Sequence, residues 1–125
     1  MFSNAIEAYD SGVKATASIR DLEAAVLFKA ARLLEACRQR WDATDRPARL
    51  AEALRHNQRL WTLFQSELMR TDQELPAELR VNLLRLSAFV DRRTFEILAQ
   101  PEAQKLQVLI DINRNIAAGL SGHTP

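Results

Sequence analysis

The stretch LAEALRHNQRLWTLFQSEL, Leu50–Leu68, decides the fold class. Its residues Leu50, Leu54, Asn57, Trp61, Phe64 and Leu68 recur at alternating spacings of four and three, which on a helix lines them up as one heptad seam. Leu60 and Leu63 flank that seam and widen it into the broader stripe that a core-facing helix presents. A half-buried strand would instead alternate apolar and polar residues, and no stretch of the chain does so with β-branched enrichment.

Working outward, the punctuation around this helix is clear. Asp42-Ala43-Thr44-Asp45 reads as a loop, and Pro47 suits the first turn of a helix running from Arg46 to about Arg70, where its missing N–H would have no partner anyway. Before the loop, Ser18 offers an N-cap hydroxyl and Asp21 a first-turn acid for a helix reaching about Trp41. Its expected stripe is Leu22, Val26, Leu33, Cys37 and Trp41, widened by Ala30 and Leu34. A shorter helix, about Ser3 to Ala15, would present Phe2, Ile6, Tyr9 and Val13 on one side.

Beyond the central helix, the polar run Thr71-Asp72-Gln73-Glu74 leads to Pro76, which opens a helix carrying Leu79, Leu83, Leu86 and Val90. Leu84, Phe89, Phe95, Ile97 and Leu98 broaden its apolar face. A last helix follows Pro101 with Leu106, Leu109, Ile110, Asn113, Ile116, Ala117 and Leu120, and Gly119 suits the residue just past its end. Helices of this length joined by short loops pack as antiparallel neighbours. The expected fold is all-α: an antiparallel up-and-down bundle of four main helices plus a short N-terminal helix, one domain over residues 1–125.

Composition narrows the function. Only three glycines are present, Gly12, Gly119 and Gly122, so nothing between Val13 and Ala118 can form a glycine-rich phosphate loop, a dinucleotide fingerprint or a nucleophile elbow. Cys37 is alone and cannot form an internal disulfide, and His56 and His123 lack zinc-site spacing. No secretory leader or membrane span is legible, so a cytoplasmic, soluble protein is expected. The formal charge is +1, with signs interspersed and fourteen arginines among seventeen basic residues. Such a surface gathers neither phosphates nor anionic lipid, although Arg38, Arg40, Arg46, Arg49, Arg55 and Arg59 make one dense basic stretch, diluted by Asp42, Asp45 and Glu52.

Catalysis has little to stand on. The pairs Glu35 with Arg38, Glu52 with Arg55, and Asp91 with Arg92 read as solvated helix surface, and His56 has neither nucleophile nor orienting partner at helical spacing. Cys37 and Ser87 read as small core residues. Neither an enzyme nor a cofactor is expected. Asn57 and Asn113 each interrupt an apolar seam; a buried amide must find a hydrogen-bond partner, so they either pair across the core or serve a groove. Trp61 and Phe64 pose the same choice between core residues and anchors for an amphipathic partner.

Three separated strings resemble the FlaF family of flagellar biosynthesis regulators: Asn57-Gln58-Arg59-Leu60-Trp61-Thr62-Leu63-Phe64, then Leu75-Pro76-Ala77-Glu78-Leu79-Arg80, and the run from Leu106 to Leu120. Ala8-Tyr9 and Arg20-Asp21-Leu22-Glu23-Ala24 resemble that family's start. The resemblance implies a small protein that binds flagellin as a secretion chaperone would, promotes its synthesis or export, and acts alongside the flagellin regulator FlbT. An alternative is post-transcriptional action on flagellin mRNA, directly or through FlbT. Neither direct nucleic-acid binding nor a membrane contact is expected from the charge pattern, and a monomer is the expected state. The partner-binding residues expected from where the family strings fall are Asn57, Leu60, Trp61, Phe64, Ile110, Asn113 and Ile116, lining a groove or forming the core behind it.

Overall fold

The computed structural model describes the backbone of residues 13–70 and 75–122, and side chains within 20–70 and 75–122. Among the described residues there are four helices, α1 (Val13–Gln39), α2 (Arg46–Leu68), α3 (Ala77–Ala99) and α4 (Leu106–Leu120), with a 3-10 turn at Ala103–Lys105 leading into the last. No strand occurs among the described residues. Six residues join α1 to α2 and eight join α2 to α3. A parallel return along a 23-residue helix would have to cover about 34 Å, more than the ~28 Å an extended eight-residue segment can span. Successive helices therefore run antiparallel, and α1 packs on α4 and on α2, while α2 packs on α3.

The helix ends differ from expectation in two places. Helix α1 runs unbroken over Val13–Gln39, so Ser18 lies inside it rather than at its N-cap. Nothing in the backbone there requires a stop: Lys14-Ala15-Thr16-Ala17 contains neither glycine nor proline. The helix expected over Ser3–Ala15 falls mainly outside the described residues, and its last three residues belong to α1. Gly119 does not terminate α4 as expected: the helix continues to Leu120, Ser121 is the C-cap, and the left-handed residue is Gly122 at φ 79°. A glycine takes that conformation without the steric cost a Cβ would impose.

These two glycines give opposite expectations. A Cβ at Gly119 would meet nothing within 4 Å, so Gly119→Ala is expected to stabilise α4 by about 0.5–1 kcal/mol through helix propensity. Gly122→Ala would force a side chain into the left-handed region, at a cost of about 1 kcal/mol. Thermal melts that move the two variants in the same direction would contradict this assignment.

The core forms where α4 can reach. Its 15 residues span about 22 Å against about 40 Å for α1. Leu106, Leu109, Ile110 and Ala117 of α4 meet Ala24, Leu27, Ala30, Ala31, Leu34 and Cys37 of α1, together with Leu50, Leu54, Leu60 and Trp61 of α2. Of the stripe expected on α1, Ala30, Leu34 and Cys37 are buried and Val26 and Trp41 half-buried, whereas Leu22 and Leu33 lie on the exposed side and Ala24, Leu27 and Ala31 face inward in their place. Trp41 lies beyond the end of α1, half-buried, with the Arg46 guanidinium 4.4 Å above its ring. Burial pushes the Cys37 thiol above its ordinary pKa, consistent with a small core residue.

Helix α3 contributes least to the core. Its buried residues are Ser87, Val90, Thr94 and Ile97, none of them in its first ten residues, and Thr94 satisfies its buried hydroxyl by donating to the Val90 carbonyl at 2.7 Å. Leu79, which periodicity places on the buried stripe, is 45% exposed, while Leu83 and Leu86 are half-buried.

Near the other end, α1 and α2 bring two carboxylates together. Glu23 is partly buried, and its carboxyl is held above the ordinary range first by burial and then by the Glu67 charge, with Arg20 opposing. A carboxyl whose pKa is raised on folding carries no penalty below its unfolded pKa of about 4.3. The penalty grows as pH climbs through that value to the folded pKa, then stays constant. Glu23→Gln is accordingly expected to raise the melting temperature at pH 7 and to leave it nearly unchanged at pH 3.

Candidate functional site

The seven residues expected to meet a partner do not share one environment. Asn57, Leu60, Trp61, Ile110 and Asn113 are buried in the core, whereas Phe64 and Ile116 are half-buried at its margin. What the structure does bring together is an amide network. The Trp61 indole Nε1–H donates to Asn113 Oδ1 at 2.9 Å, and Asn113 Nδ2 donates to Asn57 Oδ1 at 2.7 Å, so α2 and α4 are joined across 52 to 56 residues of sequence. The Trp61 ring meets Phe64 edge-on, with centroids 5.8 Å apart. Of the two readings open for the asparagines, the pair across the core is the one built.

Chemically this network is a structural device. Two amides and an indole that are at most 2% exposed lie away from solvent, and no titratable side chain takes part in their hydrogen bonds. One buried donor, Asn57 Nδ2, has no partner among the described residues, and neither has the buried hydroxyl of Ser87 on α3. Polar groups in an otherwise apolar seam fix which faces can meet, because any other register leaves them unpaired.

The surface pairs behave as helix decoration. Arg38 forms a bidentate contact to Glu35, with Nε at 2.5 Å and an Nη at 2.8 Å, which holds the Glu35 carboxyl below its usual range. Arg49 donates a single Nε–H bond to Asp45 Oδ2 at the start of α2, which likewise holds that carboxyl below its usual range. Glu52 and Arg55 are both exposed and form no ion pair among the described residues. An open depression on the exposed side of α2 is lined by Arg55, Gln58, Arg59, Thr62 and Leu63. Among the described residues there is no group of three or more histidine, cysteine or carboxylate side chains that could hold a metal. No described helix is long and apolar enough to cross a membrane.

The feature that sequence periodicity hid is on α3. Leu79, Val81, Phe95 and Leu98 are 45, 42, 61 and 51% exposed, and they account for half of the large apolar side chains that the described chain exposes. A helix with apolar residues around most of its circumference cannot bury them all against two neighbours, so part of its surface is left for something else.

A family described as flagellar protein FlaF matches residues 5–120, nearly the whole chain. The chain belongs to the FlaF family. No curated protein and no solved structure shows a significant match to it. For this FlaF protein the family strings acquire a physical meaning. Asn57, Trp61 and Asn113 sit inside two of the three strings and are the network that ties α2 to α4, so what those strings carry is bundle architecture. The middle string, Leu75 to Arg80, opens α3 and includes the exposed Leu79.

Proposed function

We propose that this FlaF protein binds flagellin, holds it for export as a secretion chaperone, and thereby promotes flagellin production together with FlbT. Family membership supplies the flagellar setting, and the observation that carries the binding role is the exposed apolar surface of α3. A monomeric bundle of mixed surface charge gains nothing by leaving Phe95 and Leu98 more than half in water, whereas a protein that masks an amphipathic helix needs such a surface. Flagellin before assembly presents amphipathic terminal helices of the kind that self-associate, and covering one would keep the subunit competent for export. The role requires binding without catalysis.

The test is direct binding of purified full-length protein to purified flagellin monomer, followed by calorimetry and by co-elution. A one-to-one complex in the micromolar range or tighter is expected, and deletion of the gene should lower secreted flagellin. No interaction with flagellin, combined with salt-dependent binding to flagellin mRNA lost on replacing Arg46, Arg49 and Arg55, would establish the mRNA reading instead.

A further inference from the structure

Helix α3 carries two heptad seams rather than one. The inner seam, Leu83, Ser87, Val90, Thr94 and Ile97, steps by four, three, four and three, and its last four members are buried. Each of these is followed by a member of a second seam: Leu84, Ala88, Asp91, Phe95 and Leu98, extended one step back to Val81. One residue is about 100° around a helix, so the second seam runs beside the first along the same axis. It covers about 26 Å, nearly five turns. Val81, Ala88, Phe95 and Leu98 are exposed, and Leu84 and Asp91 half-buried.

We infer that this outer seam is the docking surface for a single amphipathic helix of the flagellin partner, packed along α3 as an added helix of the bundle; the inference rests on the flagellin reading above. The spacing dictates the occupant's form, because a surface repeating every 3.5 residues is complementary to another helix with the same repeat.

Charge dictates its chemistry. Asp91 sits in the middle of the seam and has no ion-pair or hydrogen-bond partner among the described residues. Arg85 and Arg92, one heptad apart, flank the seam on its outer side; Arg92 lies 5.7 Å over the Phe89 ring. Glu96 on that flank is engaged with Arg93 at 3.8 Å. The fitting partner helix therefore carries a basic residue opposite Asp91 and acidic residues facing Arg85 and Arg92.

A second copy of this chain fits poorly. In parallel register Asp91 would oppose its own counterpart, and antiparallel register about the seam midpoint leaves the two carboxylates about 4.5 Å apart along the axis. Like charges so placed in a closing interface are repulsive.

The experiment titrates purified flagellin monomer into the full-length protein and into Phe95→Glu, Asp91→Lys and the control Leu63→Glu, which alters an exposed leucine in the α2 depression lined only by α2 residues. Thermal melts establish that each variant is folded. Phe95→Glu is expected to weaken binding at least about thirtyfold, as for a central anchor, and Asp91→Lys about tenfold, whereas Leu63→Glu binds as wild type. Wild-type binding with full affinity retained by Phe95→Glu and Asp91→Lys would overturn the seam while leaving flagellin capture intact. Absence of wild-type binding would overturn both. A wild-type dimer by light scattering that Phe95→Glu converts to monomer would overturn the inference by assigning the seam to self-association.

Discussion

Trp61→Ala should cost the fold about 3–5 kcal/mol, the range for emptying a large aromatic site in a packed core. Trp61 is 2% exposed, contacts Phe64 edge-on and donates its indole N–H to Asn113, so truncation removes a ring's worth of packing and strips Asn113 Oδ1 of its donor. Domains of this size are stable by only about 5–15 kcal/mol. The variant should therefore unfold at much lower urea, and partial loss of helical signal at 37 °C is the expected phenotype. Trp61→Phe separates the two contributions: it keeps most of the packing and loses only the donor, and should cost about 1–3 kcal/mol. Any loss of flagellin capture by Trp61→Ala would follow from unfolding. A fully stable Trp61→Ala protein would mean that the side chain is not in the core.

The second large effect is expected at Asn113. Asn113→Leu leaves the Trp61 N–H and Asn57 Oδ1 buried without partners, each worth about 1–3 kcal/mol of uncompensated desolvation. Added leucine burial offsets part of that, and a net loss of about 2–4 kcal/mol is expected. Replacing Asn57 as well should recover part of the loss, because the second change removes both an orphaned acceptor and the Asn57 Nδ2 donor that already lacks a partner. The double-mutant cycle should thus show a coupling of about 1–3 kcal/mol. Additive single effects would contradict a shared network. The recovered protein should be stable yet less singular in packing, seen as broadened side-chain resonances, since nothing polar would then choose the register of α2 against α4.

Both predictions concern residues that spacing along the chain puts on apolar seams, while leaving open whether those seams are core or groove. The seam Leu50, Leu54, Asn57, Trp61 and Leu68 is buried as its spacing requires, with Phe64 half-buried at the margin. On α4, Leu106, Leu109, Ile110, Asn113 and Ala117 turn inward as expected. Two amides interrupting apolar seams in helices that must be neighbours favour a pair, and the pair is there. Helix α1 resists the same treatment. Its apolar residues include Leu22, Val26, Leu33 and Leu34 as well as many alanines, and several rotations about the axis give nearly equal burial. Large side chains draw the expected stripe toward Leu22 and Leu33, but the face packed inward is that of Ala24, Leu27, Ala31 and Leu34.

The exposed surface of α3 is hidden from the sequence for a related reason. Periodicity scores Leu79, Leu84, Phe95 and Leu98 as apolar residues of a helix, and whether they are covered depends on what packs beside them. Helix α4 is too short to run the length of the bundle, and α3 buries no residue before Ser87.

Sequence by itself determined that this chain is helical, where its helices break at Pro47, Pro76 and Pro101, which side of α2 faces inward, and which family it belongs to. These follow from local geometry: 3.6 residues per turn, a proline's missing N–H, and motifs read in order along the chain. Tertiary structure alone decided that Trp61 and Asn113 form core rather than groove, that α1 leaves Leu22 and Leu33 outside and buries Ala24 and Ala31, and that α3 keeps a second seam uncovered. Burial is a property of neighbours, and the distance between two helices depends on side chains about fifty residues apart in the chain.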